Sequence, residues 1–210
     1  LERAANWLAG MQSKNGGFAA FDINNTYHYL NEIPFADHGA LIDPPTSDVT
    51  ARCIGFLGKY GKQAHQNAVY RGVSFLLREQ EANGAWFGRW GTNYIYGTWS
   101  VLEAMQLAKQ DMKHTAVRRA VQWLKSVQRE DGGWGESNDS YLDPKLAELE
   151  TSTAFQTAWA LLGLMAAGEV KSESVRRGIN YLLSAQSSNH LWEEPWFTAP
   201  GFPRVFYLRY

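Results

Sequence analysis

The sequence predicts an all-α fold, a double-layered α/α barrel in which inner and outer helices alternate. Three observations predict it. A 16-residue unit recurs four times along the 210 residues. The helices that carry this unit are amphipathic, while those between the units are of another kind, the last of them apolar nearly all round. No convincing series of strands breaks the alternation.

The four units are "RAANWLAGMQSKNGGF" (3–18), "RGVSFLLREQEANGAW" (71–86), "RAVQWLKSVQREDGGW" (119–134) and "RGINYLLSAQSSNHLW" (177–192). Each runs from an arginine to an aromatic, with a small residue second, an aromatic fifth, leucine sixth and glutamine tenth. The starts lie 68, 48 and 58 residues apart, so the connections vary while the unit does not. The first ten residues of each unit read as an outer helix. In the third copy Val117, Ala120, Val121, Leu124 and Val127 share one face, and Arg118, Arg119, Gln122 and Lys125 cover the other. Glycine then ends the helix in a turn. His190 stands where the fourth copy should have glycine, which predicts a looser turn there, and Phe18 replaces tryptophan in the first copy.

The intervening helices are expected at 47–61, 96–110 and 151–165, with Ser47, Thr98 and Ser152 as N-caps. The last is apolar nearly all round and is expected to be buried on all sides. Two stretches fit neither helix type. One is the long connection 22–46, "DINNTYHYLNEIPFADHGALIDPPT". The other is the aromatic tail 193–210, "EEPWFTAPGFPRVFYLRY". Connections of that length in compact domains are commonly functional, and their aromatic content argues against disorder.

Composition narrows the function. The 20 basic and 21 acidic side chains balance, so nothing points to a nucleic-acid partner. Cys53 is the only cysteine, which precludes an intrachain disulfide. The longest nearly apolar run, "AWALLGLMAAG", has 11 residues, too few to cross a bilayer. The N-terminus lacks a signal-peptide layout and an initiator methionine, and begins inside a helical pattern. The expectation is therefore a piece of a longer protein. Nine Trp, ten Tyr and ten Phe leave the chain rich in π-faces. Asp48 and Arg52, at i and i+4 near the start of an inner helix, can share one face, with Asp48 favoured by the helix N-terminus.

The repeats resemble the QW motifs of the class II triterpene cyclases. "IPFADHGALIDPPTSDVTAR", "WFGRWGTNYIYGT" and "GFPRVFYLRY" extend the likeness to the bacterial squalene–hopene cyclases over all 210 residues. The resemblance implies an α/α barrel that folds a linear polyene, protonates it and guides a carbocation cascade. It implies that Trp90, Phe202, Phe206 and Tyr210 line the cavity, with Tyr96 a further candidate. Phe21 occupies a position that is often tyrosine in the family, keeping the ring and losing the hydroxyl. Arg52 stands at a frequent histidine whose cation pairs with the catalytic acid; with Asp48 it would support that acid electrostatically. Phe35 would gate the substrate channel, with Ala36 and His38 replacing a frequent Cys and Phe. Gln12, Gln80, Gln128, Gln186, Trp86, Trp134 and Trp192 are implied to brace the barrel, each glutamine capping exposed amides of a neighbouring helix end.

The family's acid lies in an Asp-x-Asp-Asp motif, and these 210 residues contain none. The chain is therefore expected to carry part of a site and to be inactive alone. By resemblance the partners are squalene or a related linear polyprene and one membrane leaflet, approached from its cytoplasmic side as a peripheral protein. A homodimer stays open, and no cofactor or metal is called for. Three other readings remain: a tetraprenyl-curcumene or sporulenol-type cyclase; a protein prenyltransferase β-subunit, which would need zinc and finds only Cys53 as a thiol ligand; and a non-catalytic α/α toroid used for binding.

Overall fold

The computed structural model describes residues 1–35, 41–201 and 207–208. Among the described residues seven α-helices form two layers. The inner row is α2 (Ser47–Tyr60), α4 (Tyr94–Leu107) and α6 (Ala154–Ala166), with α2 packed on α4 and α4 on α6. The outer helices are α1 (Glu2–Gly10), α3 (Gln66–Arg78), α5 (Thr115–Ser126) and α7 (Glu173–Ala185). They lie against the inner row through α1–α2, α3–α2, α5–α4, α5–α6 and α7–α6 contacts. The core runs between the layers, from Ile54, Leu57 and Leu76 through Val101, Leu102 and Leu124 to Leu161 and Leu164. The result is an all-α arc of a double-layered barrel.

The outer helices follow the amphipathic pattern, although all but the first start four or five residues ahead of the repeated unit. Upstream caps explain this: the side chains of His114 and Ser172 accept the backbone N–H groups of Ala116 and Val175. The helices stop before the tenth-position glutamine, so that Val127 is a partly exposed C-cap rather than a core residue.

The glutamine is thereby free to reach the next outer helix. Its amide N–H groups donate to carbonyls, and among the described residues its oxygen caps no backbone N–H of a helix end. Gln12 Nε2 donates to the carbonyls of Gly16 and Ala68, Gln80 to Gly84 and Ala116, and Gln128 to Gly132 and Ser174, all at 2.8–2.9 Å. The opening arginine of each following copy returns the grip. Arg71 donates to Ser13 and Lys14, Arg119 to Glu81 and Ala82, and Arg177 to Arg129 and Glu130. The indole N–H groups of Trp86, Trp134 and Trp192 cap the last-turn carbonyls of Leu76, Leu124 and Leu182 in their own helices. The N–H groups of Phe18, Trp86 and Trp134 donate to the hydroxyls of Thr50, Thr98 and Thr157 on the inner helices. Each unit thus ties one outer helix to the next and to the inner row.

Several sequence expectations need correction. Thr98 is inside α4, where it receives Trp86, and Asn93 takes the N-cap position. The amides there are satisfied from a distance: the Glu136 carboxylate, buried at the end of β1, accepts the N–H groups of Asn93, Tyr94 and Ile95 at 3.0–3.3 Å. Thr46, not Ser47, precedes α2, and Thr153, not Ser152, caps α6 through the N–H of Gln156. Residues 148–153 are not helical. Glu148–Thr153 forms β2, antiparallel to β1 (Trp134–Glu136), a two-stranded ribbon the sequence reading omitted. The His190 turn is as closed as the others. His190 adopts φ 65°, against 93°, 98° and 92° at Gly16, Gly84 and Gly132, and histidine is among the residues enriched in that region. At those glycines an added Cβ would lie 2.5–2.8 Å from the carbonyl oxygen of Arg71, Arg119 or Arg177 in the next helix, which is why they lack a side chain. Finally, α6 is not buried all round: Leu162 is 44% exposed, and Phe155, Trp159 and Met165 are half-buried. That apolar stripe lies on the open inner face of the arc.

Candidate functional site: an aromatic inner face

The inner face is built from large rings on helices otherwise made thin by small residues. On α4, Tyr96 and Trp99 are one turn apart; on α6, Phe155 and Trp159 are as well. Trp99 and Trp159 stack with centroids 5.9 Å apart and planes 8° from parallel. Tyr96 meets Trp99 edge-on at 5.7 Å and Trp159 at 5.0 Å, and Phe155 meets Trp159 at 5.2 Å. The guanidinium of Arg52, from α2, lies 4.3 Å from the Trp99 ring centroid and 5.9 Å from that of Tyr96, so this wall already faces a cation.

Arg52 does not pair with Asp48. Its Nη1 is 3.3 Å from Glu103 Oε2, in a half-exposed ion pair worth about 0.2–1 kcal/mol. Asp48 is 1% exposed and fully engaged elsewhere. Its Oδ1 accepts the Thr46 hydroxyl at 2.6 Å, and its Oδ2 accepts the N–H groups of Arg89 and Trp90 at 3.0 and 2.7 Å. Asp48 therefore holds the backbone of the loop that presents Trp90. The i, i+4 spacing was compatible with a pair, but two backbone donors from a loop 41 residues away win the buried carboxylate.

That loop, 88–93, is clamped from several sides. The Tyr141 hydroxyl lies 2.8 Å from the carbonyls of both Gly88 and Gly91, and burial raises its pKa. A Cβ at Gly91 would come within 2.6 Å of the Tyr96 ring, so glycine is required there for the loop to lie against α4. Trp90 meets Phe21 edge-on at 6.0 Å, and the Arg89 guanidinium lies 4.9 Å from the Trp90 ring. Arg89 Nε donates to Asp43 Oδ1 at 3.0 Å, and Nη1 donates to the carbonyl of Gly201 at 2.6 Å. Asp43 is buried; desolvation raises its pKa, opposed by the Arg89 charge. The long connection is closed at its base by Asn31, whose amide both donates to and accepts from the backbone of Ile42.

The structure thus brings Phe21, Trp90, Asp48, Tyr96 and Arg52 to one side of the inner row. Phe35 is 84% exposed, on the long connection. Phe202, Phe206 and Tyr210 lie outside the described residues, as do Ala36 and His38. The sequence reading missed Trp99, Trp159, Asp43, Arg89 and Tyr141. For the first two a signal existed, namely bulky aromatics at helical spacing among Gly97, Ala104, Ala158 and Gly163. Cys53, next to Arg52, is half-buried, and burial pushes its thiol up to about 12. Among the described residues no three His, Cys, Asp or Glu side chains converge as a metal site requires, and no helix is long and apolar enough to cross a membrane. A cavity of about 720 Å³ lies between outer α5 and the ribbon, lined by Trp123, Arg129, Glu130 and Glu148. It does not include the aromatic wall, in which Tyr96 and Trp159 are half-buried and Trp99 is buried.

The aromatic inner face, on this fold, can be set beside known proteins. The squalene–hopene cyclase C-terminal domain family model matches residues 1–210. The chain is 58% identical to a probable squalene–hopene cyclase of Sinorhizobium fredii over 212 residues, covering all of this chain and 33% of that protein. It is 57% identical to a squalene–hopene cyclase of Zymomonas mobilis over 209 residues, covering 99% of this chain and 32% of the relative. The chain therefore spans about a third of the length of the curated relatives it matches. Among solved structures, the type II terpene cyclase MstE from Scytonema aligns with TM-score 0.65 at 22% identity, over 96% of this chain and 54% of that one, a likeness of fold. On the full-length match to the family model and on these identities, the chain belongs to the squalene–hopene cyclase C-terminal domain family.

Proposed function

We propose that these residues form the C-terminal part of a class II terpene cyclase, and that the whole protein protonates and cyclises squalene or a similar linear polyprene to a polycyclic hopanoid. The observation that carries the reading is the aromatic wall of the inner row, half-buried Tyr96 and Trp159 around buried Trp99, close to a ring pair formed by Trp90 and Phe21. A carbocation cannot be held by carboxylates at every centre, because they would trap or deprotonate it. Ring faces supply negative potential without a nucleophile, each about 0.5–2 kcal/mol, and an apolar wall keeps water from the intermediate.

In this reading an acid from the Asp-x-Asp-Asp motif of the whole protein adds a proton to the terminal double bond. The tertiary cation that results is attacked by the next alkene, and ring closure repeats. The last cation returns a proton to a base or takes up water. Trp90, Phe21 and Tyr96 face the early cations, and Phe202, Phe206 and Tyr210 the later ones. Arg52, on the wall beside Glu103, supplies a permanent positive charge for the acid's carboxylate, and as a guanidinium it does not hand a proton back. Asp48 acts through the Trp90 loop rather than on substrate. Phe35 gates entry. The glutamine and tryptophan repeats, Gln186 and Trp192 among them, brace the barrel and take no part in the chemistry. The polyprene would be drawn from one membrane leaflet by a peripheral protein on the cytoplasmic side, and a homodimer belongs to the same reading.

Incubating the whole protein with squalene and analysing the products by mass spectrometry tests this. Pentacyclic triterpenes are expected. Intact squalene from folded, membrane-presented protein would overturn the reading.

A further inference from the structure

From Phe197 onward the tail is attached by a specific set of contacts that no repeat supplies. The N–H of Thr92 donates to the Thr198 hydroxyl at 3.0 Å, and the N–H of Ala199 donates to the Thr92 hydroxyl at 3.1 Å. Asn138 Nδ2 donates to the carbonyl of Phe197 at 2.9 Å. Thr198 and Leu208 exchange backbone hydrogen bonds at 2.7 and 2.9 Å, which joins the described residues 197–201 and 207–208 into one arm. Inside that arm, Arg89 donates to the carbonyl of Gly201, the residue before Phe202. The same guanidinium is paired with buried Asp43 at the end of the long connection and lies over Trp90. One side chain therefore joins the three unrepeated segments of the site.

We propose that Arg89 is a positioning residue for cyclisation: it fixes this arm and Asp43 against the Trp90 loop, and so sets where the Trp90 ring meets the growing cation. This rests on the cyclase reading above. A planar fork is needed for the task, since Nε and Nη1 serve Asp43 and Gly201 at once, whereas a lysine ammonium is a single point on a flexible stem. A released arm would loosen the Trp90 ring against the growing cation, and misplacement of about 1 Å can cost on the order of a hundredfold in a positioned reaction. The consequence would be early loss of a proton, giving products with too few rings.

The test uses the whole protein with R89K and R89Q, with T198V as an independent release of the arm. Amide hydrogen exchange at Thr198 and Leu208 is expected to quicken about tenfold in all three. With squalene, the share of incompletely cyclised products is expected to rise about tenfold while KM stays within about twofold. A purely structural role would lower all products together and leave their ratio alone. Unchanged exchange, or faster exchange with an unchanged product ratio, overturns the proposal; if the Arg89 variants do not fold, T198V decides by the same two readouts. A wild-type protein that makes no cyclic product removes the cyclase reading instead, while exchange still decides whether Arg89 anchors the arm.

Discussion

At Cys53 the environment overrides the neighbour. Beside Arg52 a thiol would ordinarily be acidified, yet its pKa is pushed up to about 12 because the side chain is desolvated against the core. The thiolate is the reactive form, so at pH 8 Cys53 should react with iodoacetamide far more slowly than an unfolded control. Labelling at the rate of a free thiol would show that the α2 packing is wrong. Arg52 and Arg89 share a different feature: each guanidinium lies over a tryptophan, at 4.3 and 4.9 Å. Their carboxylates differ in setting. The Glu103 pair is half-exposed, while Asp43 is buried with its charge against Arg89. Replacing Arg89 therefore leaves a charge uncompensated in the interior, whereas replacing Arg52 leaves one in water.

At the scale of elements, the repeat explains both what holds and what varies. Gln128 makes two bonds, one to its own turn and one to the first turn of the next outer helix; among the described residues Gln186 makes one, to His190, and Trp192 of the same copy is 38% exposed. Gln128→Ala should therefore destabilise by about 1–3 kcal/mol and Gln186→Ala by less than about 1 kcal/mol, measured by denaturant unfolding of these residues expressed as a unit. Equal costs would contradict the bracing geometry. The helices were legible because the repeat fixes their faces and ends within a few residues. Their caps were not, because the decisive groups come from far along the chain: Glu136 satisfies α4 from 41–43 residues away. The ribbon was missed for a related reason, since three-residue β1 acquires strand geometry only by pairing with β2. The opening arginines are visible in every copy, but their reciprocal grip on the preceding turn depends on how the helices are placed.

Across the molecule, repeated and unrepeated segments divide the labour. The repeats build an arc with a continuous core, and the segments between them supply the inner face. Trp90 and Tyr96 were legible through motif likeness, and the wall completed by Trp99 and Trp159 was partly so through its spacing. Asp43 and Arg89 were illegible, because a buried pair 46 residues apart leaves no local pattern. In the cyclase reading this face stabilises positive charge on a polyprene. Binding of a squalene-derived tertiary amine to the whole protein, compared with its neutral carbon analogue by titration calorimetry, tests it most directly. The protonated amine should bind at least about tenfold more tightly, and Trp159→Leu should remove much of that preference, as a ring contribution of about 0.5–2 kcal/mol requires. Equal affinity for the charged and neutral ligands, or a preference that Trp159→Leu leaves intact, would contradict it.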